Sequence, residues 1–523
     1  MSSGHELIWV YGPPGSGKSS VGAEVARQLS LPFWDADEQI QSVSGASIPE
    51  IFVREGETGF RSRESRVIAD LAAQPGGVIA LGGGALLDRE NRYLVESTGR
   101  VICLEAPFAI LLERLEQQGD ARPLVAGDLS ARLEGLLTSR GEHYASFPLR
   151  LDASAPAEQV AWDALVRLGA FHVRGMGNGY DVRVERGGVS KVGERLAARQ
   201  LRGPVVLVSD EHVSAYYGVQ VLASLKNAGY EASLLTIPPG ESNKTIQTIQ
   251  QMWDGFLAAR MDRSSTVLAL GGGVVGDMAG FAAATYLRGV NWSVLPTTLL
   301  AMADASLGGK TGIDLSTGKN LVGAFYPPRM VLADPDVLRT LPEAELRSGM
   351  AEVVKSGVIA DAALFDMCAS GWQAVQVGLD EVVRRAMAVK ISVIQADPYE
   401  KGPRAALNLG HTIGHAVELV SGYRLRHGEA VSIGMVAEAR LAEMLGIAQV
   451  GLADQISAVL VGLALPVKIP AELDQQAVIG AIQVDKKRLA GKVRFALPVR
   501  IGEVRVGVEI DLQDKIIQES LSH

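Results

Sequence analysis

Residues 12–19, GPPGSGKS, match the pattern Gly-x-x-x-x-Gly-Lys-Ser/Thr of a phosphate-binding loop. An apolar, strand-like run precedes them and a helical stretch follows, which is the context that this pattern requires. The glycines let backbone N–H groups surround phosphate oxygens, Lys18 brings positive charge, and the Ser19 hydroxyl suits Mg²⁺. The loop therefore predicts a site for ATP with Mg²⁺. Its expected ligand-binding residues are Gly15, Ser16, Gly17, Lys18, Ser19 and Ser20.

A phosphate-binding loop serves many reactions, so the group that accepts the phosphate has to be inferred from other residues. Asp35 and Asp37 end a second strand-like run, Arg61 follows a glycine-rich turn, residues 82–84 are a glycine triplet after a strand, and Arg140 precedes a tyrosine. An aspartate near a γ phosphate can orient and deprotonate an alcohol, and two guanidinium groups suit a carboxylate. The alternative is that the aspartates cap a helix and that either arginine is a solvated surface charge.

Three of the eight histidines, His411, His415 and His427, cluster in the last quarter of the chain. His411 and His415 are four residues apart and share one face of a predicted helix. Glu352 lies on another predicted helix, one turn before Lys355. Two imidazoles and one carboxylate with an open position are typical of a catalytic zinc site. We interpret the cluster in this way, although a lone helix histidine is more often an ordinary packed or surface residue.

A possible dinucleotide site lies between these two groups of residues. Residues 270–277, LGGGVVGD, end a strand with glycines and an acid, although such a turn could also be purely structural. Residues 239–244, PGESNK, could meet ribose and adenine, and Thr297 and Thr298 supply hydroxyls on a later turn. The cationic residues that follow fit an anion site better than a solvated helix face. They are Arg288, Lys310, Lys319, Lys355, Lys390 and Arg404.

The order of apolar runs indicates how these residues are positioned. Residues 1–168 alternate strand-like and helical runs, which predicts a three-layer α/β domain with a parallel sheet. The glycine-rich residues 169–178 predict a linker. A second alternating section predicts an α/β, Rossmann-like domain over residues 179–335. Long runs with helical periodicity then predict a mainly helical domain over residues 336–523.

Composition limits the classes of function. The chain has 523 residues, of which 47% are hydrophobic and 21% charged, as in globular proteins. A net charge of -9 disfavours broad binding to nucleic acid or to acidic membranes. The two cysteines, Cys103 and Cys368, exclude a disulfide framework and suit a reducing compartment. With no signal-peptide pattern and no long apolar run, we expect a cytoplasmic protein that acts on small molecules.

In combination, the phosphate-binding loop, the aspartates, the glycine triplet and the two arginines resemble shikimate kinase over residues 5–168. The resemblance implies that Asp37 acts as base on a shikimate hydroxyl, that Arg61 and Arg140 hold the carboxylate, and that Gly83 contacts the ring. Arg122 lies in a segment similar to the family's mobile lid, where it would stabilise the transferring phosphate. The implied catalytic residues are Asp37, Lys18 and Arg122.

The second half resembles 3-dehydroquinate synthase over residues 178–510. The motifs that carry this resemblance are PTTLL at 296–300, GGKTG at 308–312, GKN at 318–320, MAEVVK at 350–355 and LNLGH at 407–411. The resemblance implies conversion of the seven-carbon phosphate DAHP to 3-dehydroquinate with catalytic NAD⁺ and with Zn²⁺ or Co²⁺. It also implies a homodimer through the synthase half.

The same resemblance assigns the site residues of this second half. The metal ligands would be Glu352, His411 and His427. The cofactor-binding residues would be Asp210, Glu241, Lys244, Gly272, Gly273, Val274, Val275, Gly276, Asp277, Thr297, Thr298, Lys310 and Lys319. The substrate-binding residues would be Arg288, Asn320, Lys355, Lys390, Arg404, Asn408 and Lys486 (or Lys487). The catalytic residues would be Asp304, Lys310, Lys355, Glu400 and His415.

Other functions remain open for each half on the sequence alone. For the first half they are a gluconate- or nucleoside-monophosphate-type kinase and a non-catalytic nucleotide-binding regulatory module. For the second half they are a glycerol-dehydrogenase-like oxidoreductase and the sugar-phosphate cyclases that make inosose or valiolone rings. The two arginines argue for a carboxylate substrate in the first case, and the lysine-rich set argues for an acidic, phosphorylated substrate in the second.

Overall fold

A computed structural model describes residues 7–118, 128–316, 318–485, 492–511 and 515–521. In this part of the chain, each helix is too short or too polar to cross a membrane. The chain divides into two compact units, which are Met1–His172 with Ala197–Arg199, and Val173–Leu196 with Gln200–His523.

The first unit contains a five-stranded, fully parallel sheet with the order β2-β3-β1-β4-β5. Its central strand, LIWVY, is buried along its whole length, as expected for a parallel strand covered on both faces. The strands are β1 (Leu7–Tyr11), β2 (Phe33–Asp35), β3 (Gly77–Ala80), β4 (Gly99–Glu105) and β5 (Arg150–Asp152).

Local sequence sets the helices of this unit. Asp35 caps one helix by accepting from Asp37 N, and Ser47 and Glu50 form a capping box at the next. Gly56, with φ 67°, kinks that long helix. The helices are α1 (Lys18–Leu29), α2 (Ala36–Ser44), α3 (Ile48–Ala72), α4 (Arg89–Thr98), α5 (Phe108–Gln118), α6 (Leu129–Ala145) and α7 (Ala157–Leu168).

The remaining strands form a seven-stranded sheet of order β6-β7-β14-β11-β10-β8-β9 and two antiparallel hairpins, β12-β13 and β15-β16, and all of them except β6 lie wholly in the second unit. The central strand β10 is wholly buried. The strands are β6 (Ala170–Val173), β7 (Tyr180–Val184), β8 (Val205–Asp210), β9 (Ala232–Ile237), β10 (Thr266–Gly271), β11 (Asn291–Pro296), β12 (Lys310–Leu315), β13 (Gly318–Phe325), β14 (Met330–Ala333), β15 (Lys492–Arg500) and β16 (Glu503–Asp511).

Helices dominate this unit after β14, so the predicted succession of two α/β sections and a mainly helical section is confirmed. The helices are α8 (Val192–Ala198), α9 (Glu211–Val213), α10 (Val219–Asn227), α11 (Ile246–Ala258), α12 (Gly273–Thr285), α13 (Glu343–Ala360), α14 (Ala362–Ala369), α15 (Trp372–Val377), α16 (Leu379–Ala396), α17 (His411–Val420), α18 (His427–Met444), α19 (Leu452–Gly462), α20 (Gln475–Asp485) and α21 (Lys515–Leu521).

The segment expected to be a linker, residues 169–178, is in part a strand. Phe171 and Val173 are almost fully buried, so the apolar residues that precede the glycines form β6. Only the later part behaves as its composition suggests, with Gly175 and Gly177 at φ 85° and 56°. The alternating apolar residues therefore favour a strand here, despite the neighbouring glycines.

Close approach of α17 and α18 depends on glycine. A methyl group at Gly434 in α18 would overlap the carbonyl oxygen of Gly410 and lie 2.6 Å from Gly414 N. A methyl at Gly414 would lie 2.9 Å from Ala430 O. The two helices that carry His411 and His427 therefore touch through backbone atoms, and their separation is fixed by the absence of side chains.

We expect Gly434→Ala to lower the free energy of unfolding by about 3 kcal/mol, because the added methyl forces the two helices apart. Gly462→Ala is the matched control, because Gly462 is a helical glycine with no neighbouring atom within 4 Å of the added methyl. It should change stability by less than about 1 kcal/mol. Denaturant unfolding of both variants measures the difference, and equal effects would contradict the packing role of Gly434.

Candidate active sites

The topology brings the groups predicted for the first site to one edge of a sheet. Strands β2, β3 and β1 are neighbours and parallel, so their carboxyl ends lie side by side. The phosphate-binding loop follows β1, Asp35 ends β2, and residues 82–84 follow β3. Ligands of open parallel sheets bind at this edge.

The phosphate-binding loop has the backbone that its glycines predict. Gly15 and Gly17 have φ values of 78° and 84°, which other residues rarely adopt. Lys18 Nζ donates to Pro13 O at 2.9 Å, and Ser16 Oγ donates to the same oxygen at 2.8 Å. The lysine begins α1, so its charge lies over the loop at the positive end of a helix.

The two aspartates have different surroundings. Ser19 Oγ donates to Asp35 Oδ2 at 2.5 Å, and Asp37 N donates to Asp35 Oδ1 at 2.9 Å. Asp35 is therefore both a helix cap and a partner of the hydroxyl predicted to bind Mg²⁺. Asp37 faces the glycine triplet, since a methyl built on Gly82 would lie 3.3 Å from its Oδ1. Ser20 is exposed on the first turn of α1.

The two arginines expected to hold a carboxylate converge. A methyl built on Gly84 would lie 2.9 Å from Arg61 Nη2 and 3.2 Å from Arg140 Nη1. Arg140 Nη1 also donates to Gly83 O at 3.3 Å. Two guanidinium groups at one glycine suit a small planar anion, since each can present a pair of N–H donors.

Buried Glu64, which sequence reasoning missed, holds one of these arginines. Arg61 Nη1 donates to Glu64 Oε2 at 2.6 Å, and Glu64 is 2% exposed. Burial raises the pKa of Glu64, and nearby Asp37 adds to this, while Arg61 opposes it. The spacing of Arg61 and Glu64, one helical turn apart, is the signal that could have identified the pair.

Two tyrosine hydroxyl groups hold the glycine triplet through its backbone. The hydroxyl groups of Tyr11 and Tyr144 donate to Gly83 O at 3.3 and 2.8 Å. Tyr11 OH also lies 3.1 Å from His143 Nε2. The backbone expected to contact the substrate ring is thus held by side chains from β1 and α6. Tyr11 was not a predicted site residue, because a tyrosine in a buried strand has the pattern of an ordinary core residue.

In the second unit, three of the predicted side chains meet. His427 Nε2 and His411 Nε2 lie 3.3 and 3.5 Å from Glu352 Oε1. One ligand atom from each residue falls within 4.8 Å of the others. They come from α18, α17 and α13, respectively, and Glu352 is 1% exposed. His415, one turn along from His411, has its ring centroid 5.0 Å from that of His411.

The tautomer of His411 fits a cation at this cluster. Its Nδ1 lies 3.1 Å from Leu409 O, and a carbonyl oxygen only accepts, so Nδ1 carries the proton. Nε2 then presents a lone pair toward the Glu352 carboxylate. Two acceptors facing each other in a buried site need a positive charge between them, and a divalent metal supplies it. The donor set therefore fits a metal ion such as Zn²⁺ or Co²⁺.

Electrostatics in the cluster favour this ionisation pattern. Burial opposes the charge on Glu352, but Lys355 and the hydrogen bond from His427 hold its pKa well below the usual value. Burial, together with Lys355, lowers the pKa of His411 to about 3, so this ligand is neutral. For His427, burial is outweighed by Glu352 and Glu418, which raise its pKa to about 9.

Buried Glu438, also missed from the sequence, positions the helix that carries His411. Its side chain is fully buried on α18 and accepts from Gly410 N at 2.6 Å and Ile413 N at 3.1 Å. These N–H groups belong to the first turn of α17, which lacks a capping side chain of its own. A carboxylate at a helix N-terminus satisfies the free donors and complements the dipole.

The predicted cations form ion pairs around the cluster. Lys355 pairs with Glu352 and donates to Leu407 O at 3.0 Å. Lys390 pairs with Asp304 and donates to its carbonyl at 2.6 Å. Burial opposes the charge on Asp304, but Lys390 outweighs it, so the pKa of Asp304 is lowered. Burial lowers the pKa of Lys390.

The predicted dinucleotide turn forms a cradle at the N-terminus of α12, which is open because Gly272 and Gly273 have no side chains. Gly272 caps α12, and methyl groups on Gly272 and Gly273 would lie 3.1 Å from Thr298 Cγ2 and 3.2 Å from Ala305 Cβ. The Thr297 hydroxyl is buried without a hydrogen-bond partner among the described residues. An open helix N-terminus beside an unpaired hydroxyl fits the pyrophosphate and ribose of a dinucleotide.

Lys244 connects this turn to the β12-β13 hairpin. Its ammonium, in a side chain that is 3% exposed, lies 2.7 Å from Asp277 Oδ2 and 2.5 Å from Asn320 Oδ1. The backbone adds a further link, since Asp314 N donates to Lys244 O at 2.9 Å. Burial raises the pKa of Asp277, and Lys244 opposes this.

The remaining predicted residues are placed as follows. Lys310 pairs with Glu400, and Arg404 is buried and donates to Pro398 O. Asp210 ends β8 and caps α9, which places it on the same sheet edge as the dinucleotide turn. Glu241 and Arg288 are exposed, and Asn408 is half-buried. Val274, Val275 and Gly276 lie in α12. Arg122 and Lys486 lie outside the described residues.

Comparison with known families agrees with this division into two sites. The family model for shikimate kinase matches residues 14–167. The models for the N-terminal and C-terminal parts of 3-dehydroquinate synthase match residues 234–348 and 349–488. A 3-dehydroquinate synthase from Nostoc punctiforme is 47% identical over 348 residues, which is 65% of this chain and 96% of the relative.

Two solved synthase structures are similar to about two thirds of the chain. A 2-deoxy-scyllo-inosose synthase, complexed with carbaglucose-6-phosphate, NAD⁺ and Co²⁺, has a TM-score of 0.61 at 25% identity. The alignment covers 67% of this chain and 99% of that one. A 2-epi-5-epi-valiolone synthase from Streptomyces hygroscopicus, with NAD⁺ and Zn²⁺ bound, has a TM-score of 0.60 at 29% identity, covering 67% and 97%.

We expect metal affinity to rise with pH. Below pH 9, His427 is protonated in the metal-free protein, so a metal ion must displace one proton. His411 is already neutral and adds no dependence. The apparent affinity for Co²⁺ should therefore rise about tenfold per pH unit between pH 7 and 9 and level off above that. Competition with a chelator of known affinity measures this pH dependence. An affinity that does not change between pH 7 and 9 would contradict the assignment of His427 as a metal ligand.

Proposed function

Because this chain belongs to the 3-dehydroquinate synthase family and carries a shikimate kinase domain ahead of it, we propose that it catalyses two steps of the shikimate pathway. The first site transfers phosphate from ATP to a hydroxyl of shikimate. The second converts DAHP to 3-dehydroquinate and phosphate. The observation that carries the second assignment is the convergence of Glu352, His411 and His427 beside Lys355.

In the kinase site, the residues act mainly by position and charge. Backbone N–H groups of the loop and Lys18 hold the phosphates of ATP, and Ser19 with Asp35 holds Mg²⁺, which neutralises charge on the transferring group. Asp37 orients the acceptor hydroxyl and takes its proton. Arg122 stabilises the phosphate during transfer.

Substrate selection in the kinase site depends on the paired guanidinium groups. Arg61 and Arg140 hold the shikimate carboxylate, and the Gly83 backbone contacts the ring. Gluconate or a nucleoside monophosphate would place different groups at this point. Glu64 holds Arg61 Nη1 on its buried side, and Arg61 Nη2 lies 3.3 Å from Glu57 Oε1, a carboxylate that the substrate carboxylate would displace.

In the synthase site, residues 179–335 hold NAD⁺ and residues 336–523 hold Zn²⁺ or Co²⁺. The cradle at Gly272 and Gly273 binds the pyrophosphate, and Glu352, His411 and His427 bind the metal. Bound there, NAD⁺ would supply reversible hydride transfer without net oxidation, and Zn²⁺ or Co²⁺ would supply Lewis acidity toward the substrate hydroxyls and the ketone.

The chain's own groups then bind and orient the substrate. Buried cations at Lys355, Lys390 and Arg404 neutralise the carboxylate and phosphate of DAHP. His415 moves protons at the reacting carbons, and Asp304, fixed by Lys390, orients the reacting hydroxyls. This set of cations distinguishes DAHP from the neutral polyols of glycerol dehydrogenases and from the carboxylate-free substrates of inosose and valiolone synthases.

We also propose a cytoplasmic homodimer that forms through the synthase half. Both cysteines are buried and free, as suits a reducing compartment. Arg288 is exposed in a turn where it and Leu287 both have positive φ, so it is held away from its own unit's core. On the adjacent hairpin, Leu321 and Phe325 are 60% and 49% exposed. Sedimentation of the purified protein tests the dimer.

The two activities should be lost independently. Lys18→Ala removes the charge on the ATP phosphates and should lower shikimate phosphorylation at least 100-fold while leaving release of phosphate from DAHP unchanged. His411→Ala removes a metal ligand and should have the opposite effect. Each variant is the control for the other, and both reactions are measured on the full chain. A purified protein that binds ATP but never phosphorylates shikimate would favour a regulatory role for the first domain.

We expect Arg61→Lys to raise the KM for shikimate by about 10- to 100-fold, because a lysine cannot form the bidentate pair, a loss of about 1.5–3 kcal/mol. The KM for ATP should not change. Arg63→Lys is the matched control, since Arg63 lies on the same helix but pairs with Glu55 away from the glycine triplet. If both variants altered the KM for shikimate equally, the carboxylate role of Arg61 would be wrong.

A further inference from the structure

One buried carboxylate, Glu418, links the β12-β13 hairpin to the metal cluster. Its Oε1 lies 2.9 Å from Lys319 Nζ, and its Oε2 lies 3.4 Å from His427 Nδ1. On its other side, His427 Nε2 faces Glu352 Oε1 at 3.3 Å. The Glu418 side chain is 10% exposed, whereas those of Lys319 and His427 are 35% and 29% exposed. No sequence motif singled out Glu418.

The contact with His427 matters for metal binding. A histidine that binds a metal through Nε2 must carry its proton on Nδ1, and an acceptor there fixes the ring and makes Nε2 more basic. Glu418 Oε2 is in position to accept that proton. Its other oxygen, Oε1, is ion-paired with Lys319, so the carboxylate faces a cation on one side and the imidazole on the other.

The contact with Lys319 matters for the cofactor. Lys319 lies on β13, and its ammonium also lies 4.2 Å from the centre of the Tyr423 ring. In the proposed function this lysine binds NAD⁺, whose pyrophosphate is anionic. A cofactor that engages the ammonium draws its charge away from Glu418. The carboxylate can then interact more fully with His427.

We propose that Glu418 is a positioning residue that couples cofactor binding to metal binding by bridging Lys319 and His427. The inference rests on the proposed role of Lys319 toward NAD⁺. Bound NAD⁺ strengthens the interaction of Glu418 with His427 and so raises the affinity for the metal. By linkage, bound metal raises the affinity for NAD⁺ by the same factor.

The test is the affinity of the metal-free, full-length protein for Co²⁺, measured by chelator competition with and without saturating NAD⁺. For the unaltered protein we expect NAD⁺ to raise the affinity at least fivefold. In Glu418→Gln the affinity should fall about tenfold, and the ratio with and without NAD⁺ should approach one. The visible spectrum of bound Co²⁺ reports whether the ligand geometry changes.

Lys319→Met separates this proposal from a merely structural role. Removing the ammonium frees Glu418 for His427, so Co²⁺ should bind without NAD⁺ as tightly as it binds the unaltered protein with NAD⁺. A general loss of structure would weaken binding instead. Glu345→Gln is the matched control, since Glu345 is an ion-paired glutamate that contacts Arg426, next to His427, but not the imidazole. It should leave the ratio unchanged.

The outcomes are distinct. Failure of NAD⁺ to bind the unaltered protein would overturn the proposed function and this inference with it. If both NAD⁺ and Co²⁺ bind but the affinity for Co²⁺ is the same with and without NAD⁺, the coupling is overturned and the proposed function is not. A ratio preserved in both Glu418→Gln and Lys319→Met would also overturn it. Thermal unfolding of each variant verifies that the measured protein is folded.

Discussion

Burial of the Glu352 carboxylate is the constraint on which the second unit depends. A charge removed from water costs several kcal/mol unless opposite charges and donors surround it. Lys355 supplies one charge, and the metal ion that we propose to bind with His411 and His427 would supply the other. Because these groups come from different helices, the protein must bring three helices together around one oxygen atom. The packing of this region follows from that requirement.

The protein meets such requirements with glycine and with buried carboxylates. Gly434 lets α18 approach α17, and Glu438 then caps the helix that His411 begins. The kinase unit uses the same means, since a glycine triplet admits two guanidinium groups and Glu64 fixes one of them. In both units, glycines allow neighbouring groups to approach closely, and buried carboxylates hold the functional side chains in one orientation.

The sequence was sufficient for the parts that obey local rules. The phosphate-binding loop and the alternation of strands and helices follow from spacing, and the fold class is confirmed. Spacing alone pairs His411 with His415, and the grouping of Glu352 with His411 and His427 came from the resemblance. Glu418 and Glu438 could not be found in this way, because each acts on a residue brought near by tertiary packing. Strand β6 was missed because adjacent glycines hid a short apolar alternation. Roles that were assigned by resemblance stay predictions.

The most direct test is anomalous X-ray scattering at the cobalt edge from crystals of the full-length protein loaded with Co²⁺. We expect one peak bonded to Glu352, His411 and His427, at about 2.0–2.2 Å from an oxygen and two nitrogen atoms. Lys355 should then remain beside the carboxylate. A peak elsewhere in the chain, or a cobalt ion that binds without these three residues, would contradict the metal site proposed between α13, α17 and α18.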